Sequence, residues 1–441
     1  MRRVTGLVAL AMLAAPAHAQ RDYRAAEADR RIMLDRLGIA DTRPGADGDP
    51  KAPNAANYDE AGAGDPKLPD VLRMRDGRPV ASAANWWRQR RPEIVALFDR
   101  EIYGRVPATA PAIGWRIDKE ERVEEAGVRV IKRWLTGVAD NRTWPSAQAG
   151  IVLRYTVPAS TRRVPLILSF GFPEGFRFPG PPRAPDPGPP YTAQLLRRGF
   201  GYAVLVANSV QADNGGGLGD GVIGISLRGR RRAPDDWGVL RAWAWGASRA
   251  WDVLARDPRL DPKRIGIEGL SRYGKAALVA MAYDQRFAIG FIGSSGAGGA
   301  ALYRRDFGER IGNLAAGGEY HWFAGNFLKY AGPLAPDDLP IDAHMLIALA
   351  APRPIFIGAG TIETGDGWVD PKGSFLAAAA ASPVWPLLGR PGLEATTFPE
   401  VLTSLTAGNI GFRQHQGGHN NRDNWPVFIA FATRHLSRKE H

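Results

Sequence analysis

Short apolar runs alternate along the chain with longer stretches of helical spacing. Ile151–Tyr155, Val164–Phe172 and Gly201–Ala207 are apolar enough to lie in a sheet covered on both faces. Arg264–Glu268, Phe287–Ile292, Pro354–Ile357 and Ile410–Phe412 read as further strands. Helical spacing marks Asn85–Tyr103, where Trp86, Ile94, Leu97 and Phe98 can share one face, and also Trp237–Leu254, Arg272–Tyr283 and Asn424–Leu436. Strands alternating with helices imply a three-layer α/β sandwich, a mostly parallel twisted sheet flanked by helices. Residues 20–85 are polar and rich in Pro, Gly, Asp and Ala. They are expected to form a partly extended N-terminal extension packed on a main domain of residues 86–441. Pro173–Pro190 reads as a long Pro/Gly-rich loop.

The first residues change the picture of where the protein works. Arg2 and Arg3, the apolar run Leu7–Leu13 and the small-x-small site Ala17-His18-Ala19 make an export signal. Cleavage after Ala19 is expected, giving a secreted or periplasmic protein that begins at Gln20. No later stretch is long and apolar enough to span a bilayer, so no membrane insertion is expected. The chain has no cysteine, which excludes disulfides, thiol nucleophiles and cysteine metal sites. The formal charge of +12 would suit an acidic partner. Export argues against nucleic acid, and the densest basic run, Arg228 to Arg232, reads as a solvated loop. The protein is read as a monomer.

The segment from Arg264 to Lys275 (RIGIEGLSRYGK) carries the chemistry. An apolar strand runs into Gly269-Leu270-Ser271, and a helix follows at once, as a nucleophile elbow requires. Gly269 and Gly274 would relieve crowding between strand and helix, and the N–H of Arg272 would be an oxyanion donor at the helix N-terminus. The second glycine falls one place later than in G-x-S-x-G. An N-capping serine is the plainer alternative. On this fold the order is Ser, then acid, then His. The base should lie between the last strand and the final helix, which leaves His415 and His419, with His419 after Gly417-Gly418 preferred. Glu363, Asp366 and Asp370 follow a late strand, and chain order does not choose among them.

Several short motifs stand in a specific order: Asp235-Asp-Trp237, Arg241-Ala-Trp-Ala-Trp-Gly246, Gly269-Leu-Ser-Arg-Tyr-Gly-Lys275, Ser295-Gly-Ala-Gly-Gly299, Glu319-Tyr-His-Trp-Phe323, Gly365-Asp-Gly-Trp-Val-Asp-Pro371 and Gly417-Gly-His419. From about Leu68 to Phe431 the chain resembles the glucuronoyl esterases, carbohydrate esterase family fifteen, of bacterial type and α/β-hydrolase fold. The resemblance implies Ser271 as nucleophile, His419 as base and Arg272 as oxyanion stabiliser through backbone and side chain. It further implies sugar contacts from Lys275, Glu309 and Trp368. Many members place the acid just before the Ser-Gly-x-Gly-Gly segment, where this chain has Ser294. The Asp of G-D-G-W, here Asp366, resembles the acid of some bacterial members. A disulfide of fungal members is absent, since Leu270 and Asn420 stand at its positions.

The implied reaction is cleavage of 4-O-methyl-glucuronoyl esters that join glucuronoxylan to lignin alcohols, with no metal or cofactor. An acetyl xylan or general carboxylesterase on the same fold is the nearest rival reading. A non-catalytic polysaccharide-binding relative is a rival of another class. A metal-dependent deacetylase is disfavoured, because His415 and His419 stand in a Gly-rich loop without the helix and adjacent Glu of a zinc motif.

Overall fold

The computed structural model describes residues 24–160, 162–177 and 188–437. The export signal therefore lies outside the described residues. Ten strands form one sheet: β1 Ile113–Glu125, β2 Val128–Ala139, β3 Gly150–Pro158, β4 Val164–Gly171, β5 Gly201–Val206, β6 Leu260–Leu270, β7 Gly290–Gly293, β8 Ile355–Ala359, β9 Ser404–Leu405 and β10 Ile410–Gln414. Their order is β1-β2-β3-β5-β4-β6-β7-β8-β10-β9. The run from β5 to β10 is parallel, while β1, β2 and β3 join antiparallel at one edge and β9 at the other.

Principal helices are α1 Arg24–Leu37, α2 Arg91–Glu101, α3 Tyr191–Arg197, α4 Val239–Leu254, α5 Arg272–Tyr283, α6 Pro371–Ala381 and α7 Trp425–Leu436. They cover both faces. On β4, Leu166 and Leu168 belong to the core shared with Trp243 of α4 and Leu278 of α5. Ile167, between them, belongs to a second core with Leu195 of α3 and Phe428 of α7. That alternation is why an unbroken apolar run makes a doubly covered strand.

The structure adds elements that the apolar pattern did not predict. The β1–β2 hairpin carries most of its charges on exposed positions and turns at Ala126-Gly127, both at positive φ. Helix α1 seats Met33 and Leu34 in the core. It is tied to later segments by Arg30 Nε donating to Ala315 O at 2.8 Å and Tyr320 Oη donating to Asp29 Oδ2 at 2.7 Å.

The Arg228 to Arg232 run is not simply solvated. Arg230 pairs with Asp236 at 2.5 Å, and Arg232 is buried and donates to Phe323 O at 2.6 Å.

Candidate active site

The strand-to-helix turn at Ser271 is strained. Ser271 has φ 61° and ψ −131°, between the end of β6 and the first residue of α5. A side chain other than glycine at positive φ costs energy, and such strain gathers at functional sites. Ser271 N donates to Gly293 O of β7 at 2.9 Å, which holds the turn in place. A Cβ on Gly269 would lie 2.1 Å from Tyr273 O, so only glycine lets the helix start this close to its strand. A Cβ on Gly274 would lie 2.7 Å from Gly293 O. The displaced second glycine therefore serves the contact between α5 and β7. Helix bonding begins with Lys275 N to Ser271 O, leaving the Arg272 N–H in the unpaired first turn.

His419 follows β10 in the loop before α7, and its side chain is 42 % exposed. Its Nδ1 lies 2.7 Å from Oδ1 of the buried Asp366. Asp366 Oδ2 accepts from Ser294 Oγ at 2.7 Å and from Gly360 N at 2.5 Å. The carboxylate is thus fully engaged, and an Nδ1–H on His419 leaves Nε2 free to accept a proton. Ser294, at the position where many members of the resembled family carry the acid, instead buttresses Asp366.

The other candidates part company here. Glu363 is exposed. Asp370 turns to Arg305 at 2.9 Å and to Gly373 N at 2.8 Å, and burial pushes its carboxyl up to about 6 against the pull of Arg305. His415 is buried, with Asn424 Nδ2 3.0 Å from its Nδ1 and Gly418 O 3.1 Å from its Nε2. A neutral ring accepts from the first and donates to the second, so His415 supports the loop that carries His419. Burial keeps it neutral by lowering its pKa.

Ser271, Arg272 and His419 line one cleft of about 860 Å³, with Phe172, Tyr191, Glu268 and Trp425 also in its wall. Lys275, Glu309 and Trp368 are not in that lining. One turn along α5, the buried Lys275 Nζ donates to Glu309 Oε2 at 2.7 Å and to Ala297 O at 2.5 Å. Glu309 N donates to Trp368 O at 2.9 Å, so the sugar-contact candidates form one block. Trp322 joins the block to the oxyanion end: its ring centroid lies 5.6 Å from Lys275 Nζ and 5.8 Å from the Arg272 guanidinium.

Three residues gain roles that the sequence reading left unassigned. Among the described residues Glu319 Oε2 is buried without a hydrogen-bond partner, and burial and the charge of Glu309 raise its pKa. Its motif was visible, but its nearness to Glu309 was not. Asp213 binds the Arg272 side chain at 3.1 Å. Glu268, three residues before Ser271, accepts from Asn421 Nδ2 at 2.7 Å in the histidine loop.

A mostly parallel sheet with a strained serine at a strand-to-helix turn, and a histidine–carboxylate pair beyond the last parallel strand, defines an α/β-hydrolase. A family model described as glucuronyl esterase, fungi, matches residues 232–389. A solved CE15 glucuronoyl esterase from Teredinibacter turnerae is 42% identical, with a TM-score of 0.87, covering 93% of this chain and 100% of that one. Carbohydrate esterase MZ0003, from an unknown prokaryotic organism, is 33% identical over 87% of this chain and 93% of its own length. A 4-O-methyl-glucuronoyl methylesterase of Schizophyllum commune is 29% identical, covering 81% of this chain and 78% of its own. The chain belongs to carbohydrate esterase family fifteen, the glucuronoyl esterases, and is a carboxylic ester hydrolase.

Proposed function

We propose that the protein hydrolyses esters at the carboxyl of 4-O-methyl-glucuronic acid, in nature those linking glucuronoxylan to lignin alcohols, through Ser271, His419 and Asp366. The observation that carries this reading is the 2.7 Å contact of His419 Nδ1 with buried Asp366, beside the cleft that Ser271 shares. His419 Nε2 takes the Ser271 hydroxyl proton as Oγ bonds to the ester carbon, and the carbonyl π electrons move to oxygen. The Arg272 N–H and guanidinium stabilise that oxyanion. Its collapse breaks the bond to the alcohol oxygen, which leaves with the proton from His419. Water then attacks the acyl-enzyme while His419 takes its proton, and Ser271 recovers that proton as the uronate departs.

Lys275, Glu309 and Trp368 bind the sugar, whose hydroxyls suit a preorganised ammonium–carboxylate pair. The aromatic wall of the cleft suits an aromatic alcohol. Hydrolysis of benzyl glucuronate and para-nitrophenyl acetate tests this. Wild type should strongly favour the uronate ester, and Ser271→Ala should abolish its turnover. Activity on acetate alone would discard the sugar site, and unchanged activity in Ser271→Ala would discard the nucleophile.

Export completes the reading, with Gln20 as the first residue of a mature monomer. The mass of protein recovered from the periplasm or medium checks the cleavage site.

A further inference from the structure

The loop after β5 carries a carboxylate for which the reaction above has no task. Asp213 is mostly buried, with 12 % of its side chain exposed. Its Oδ2 accepts from Arg272 Nη1 at 3.1 Å, and its Oδ1 accepts from Trp322 Nε1 at 2.7 Å. His321 Nε2 lies 3.1 Å from the same Oδ1, and burial holds that ring neutral, so its single N–H is spent on Asp213. One carboxylate therefore joins three separate parts of the chain at the head of α5. Burial would raise the Asp213 pKa, but the hydrogen bond from His321, the charge of Arg272 and the hydrogen bond from Trp322 outweigh it and keep the group ionised.

Arginine side chains are flexible, and an oxyanion donor works best when ordered before the charge develops. Here the Arg272 guanidinium is held from one side by Asp213, with the Trp322 ring centroid 5.8 Å away. His321 and Trp322 in turn fix the carboxylate. Helix α1 braces the surrounding segments, with Asp29 accepting from Tyr320 next to His321 and Ala25 packing at Gly216.

We propose that Asp213 is a positioning residue for ester hydrolysis, which holds the Arg272 guanidinium in one geometry beside the oxyanion of the acyl transfer step. This rests on the reading of Arg272 as an oxyanion donor. Losing an ordered oxyanion contact lowers kcat, whereas sugar binding made elsewhere leaves KM in place.

The test is a double-mutant cycle on benzyl glucuronate with Asp213→Asn, Arg272→Ala and the pair. Asp213→Asn is expected to lower kcat roughly tenfold to a hundredfold with KM within about twofold. In the Arg272→Ala background the same change should lower kcat less than about threefold, because nothing remains to be positioned. If Arg272→Ala keeps wild-type kcat, the reading of Arg272 falls and the proposal with it. If Arg272→Ala is slow but Asp213→Asn is not, or if the two losses multiply in full, Asp213 alone is overturned. Should Asp213→Asn fail to fold, Asp213→Glu carries the same cycle, since it keeps the charge and shifts it by one methylene.

Discussion

Ser294 Oγ donates to Asp366 Oδ2 at 2.7 Å, so the end of β7 supports the acid that follows β8. The bond orients the carboxylate whose other oxygen faces His419. Asp366→Asn should lower kcat by about 10³- to 10⁴-fold, the scale seen when a triad carboxylate is neutralised. Ser294→Ala removes one hydrogen bond to a charged group, about 1.5 kcal/mol, and should slow kcat roughly tenfold. Stopped-time assays on benzyl glucuronate read both. Wild-type kcat in Asp366→Asn would show that Asp366 does not carry the acid's task, and wild-type kcat in Ser294→Ala that the carboxylate needs no support from β7.

The Lys275–Glu309 pair is buried, with side-chain exposures of 4 % and 7 %. Breaking a buried pair leaves a charge without compensation, at a cost of about 3 kcal/mol. Glu309→Ala is therefore expected to lower unfolding stability by that amount. It should also cut kcat/KM for the uronate ester at least tenfold while para-nitrophenyl acetate turnover changes less than threefold. Parallel losses on both esters would remove Glu309 from sugar recognition and leave it only a structural role.

Glu268 makes stability depend on pH. Burial pushes its carboxyl from 4.5 up to about 7, against the pull of the Asn421 hydrogen bond. Between those values the folded chain keeps a proton that the unfolded chain has released, so stability falls as pH rises through that window. The raised pKa corresponds to about 3 kcal/mol in favour of the acid side. Glu268→Gln keeps an acceptor for Asn421 and should flatten the dependence, matching wild type near pH 4.5 and exceeding it at pH 8. Urea midpoints at the two pH values decide it; identical slopes in both proteins would show that Glu268 titrates normally.

The parts legible in the sequence are those whose physics is local. A buried parallel strand must be apolar throughout, so Val164–Phe172 declared itself. A tight strand-to-helix turn needs glycine where Gly269 meets the Tyr273 carbonyl, so Ser271 was marked by its neighbours. The β1–β2 hairpin hid because its long, solvent-exposed strands carry Arg, Lys and Glu in place of apolar alternation. Helix α1 hid because four arginines break up its apolar pattern, although Arg30 is itself buried against Ala315 O. Asp213 could not be found locally at all. Its partners Arg272, His321 and Trp322 lie 59, 108 and 109 positions away, and only the closed fold brings them together.

The glycine at the nucleophile turn offers the sharpest local test. A Cβ on Gly269 would collide with the Tyr273–Gly274 peptide, 2.1 Å from Tyr273 O and 2.8 Å from Gly274 N. Neither atom belongs to a side chain that can swing away, so in Gly269→Ala the first turn of α5 must retreat by about 1 Å. That retreat moves the Arg272 N–H and relaxes the Ser271 backbone from φ 61°. Misplacement of a reacting group on this scale costs about a hundredfold. Gly269→Ala should therefore lose at least that much in kcat on benzyl glucuronate and on para-nitrophenyl acetate alike, because the damage lies at the reacting centre and not at the sugar contacts. Circular dichroism on the purified variant separates a displaced turn from an unfolded chain. A folded variant with kcat within threefold of wild type would mean that the turn opens freely and that the strain at Ser271 contributes nothing to catalysis.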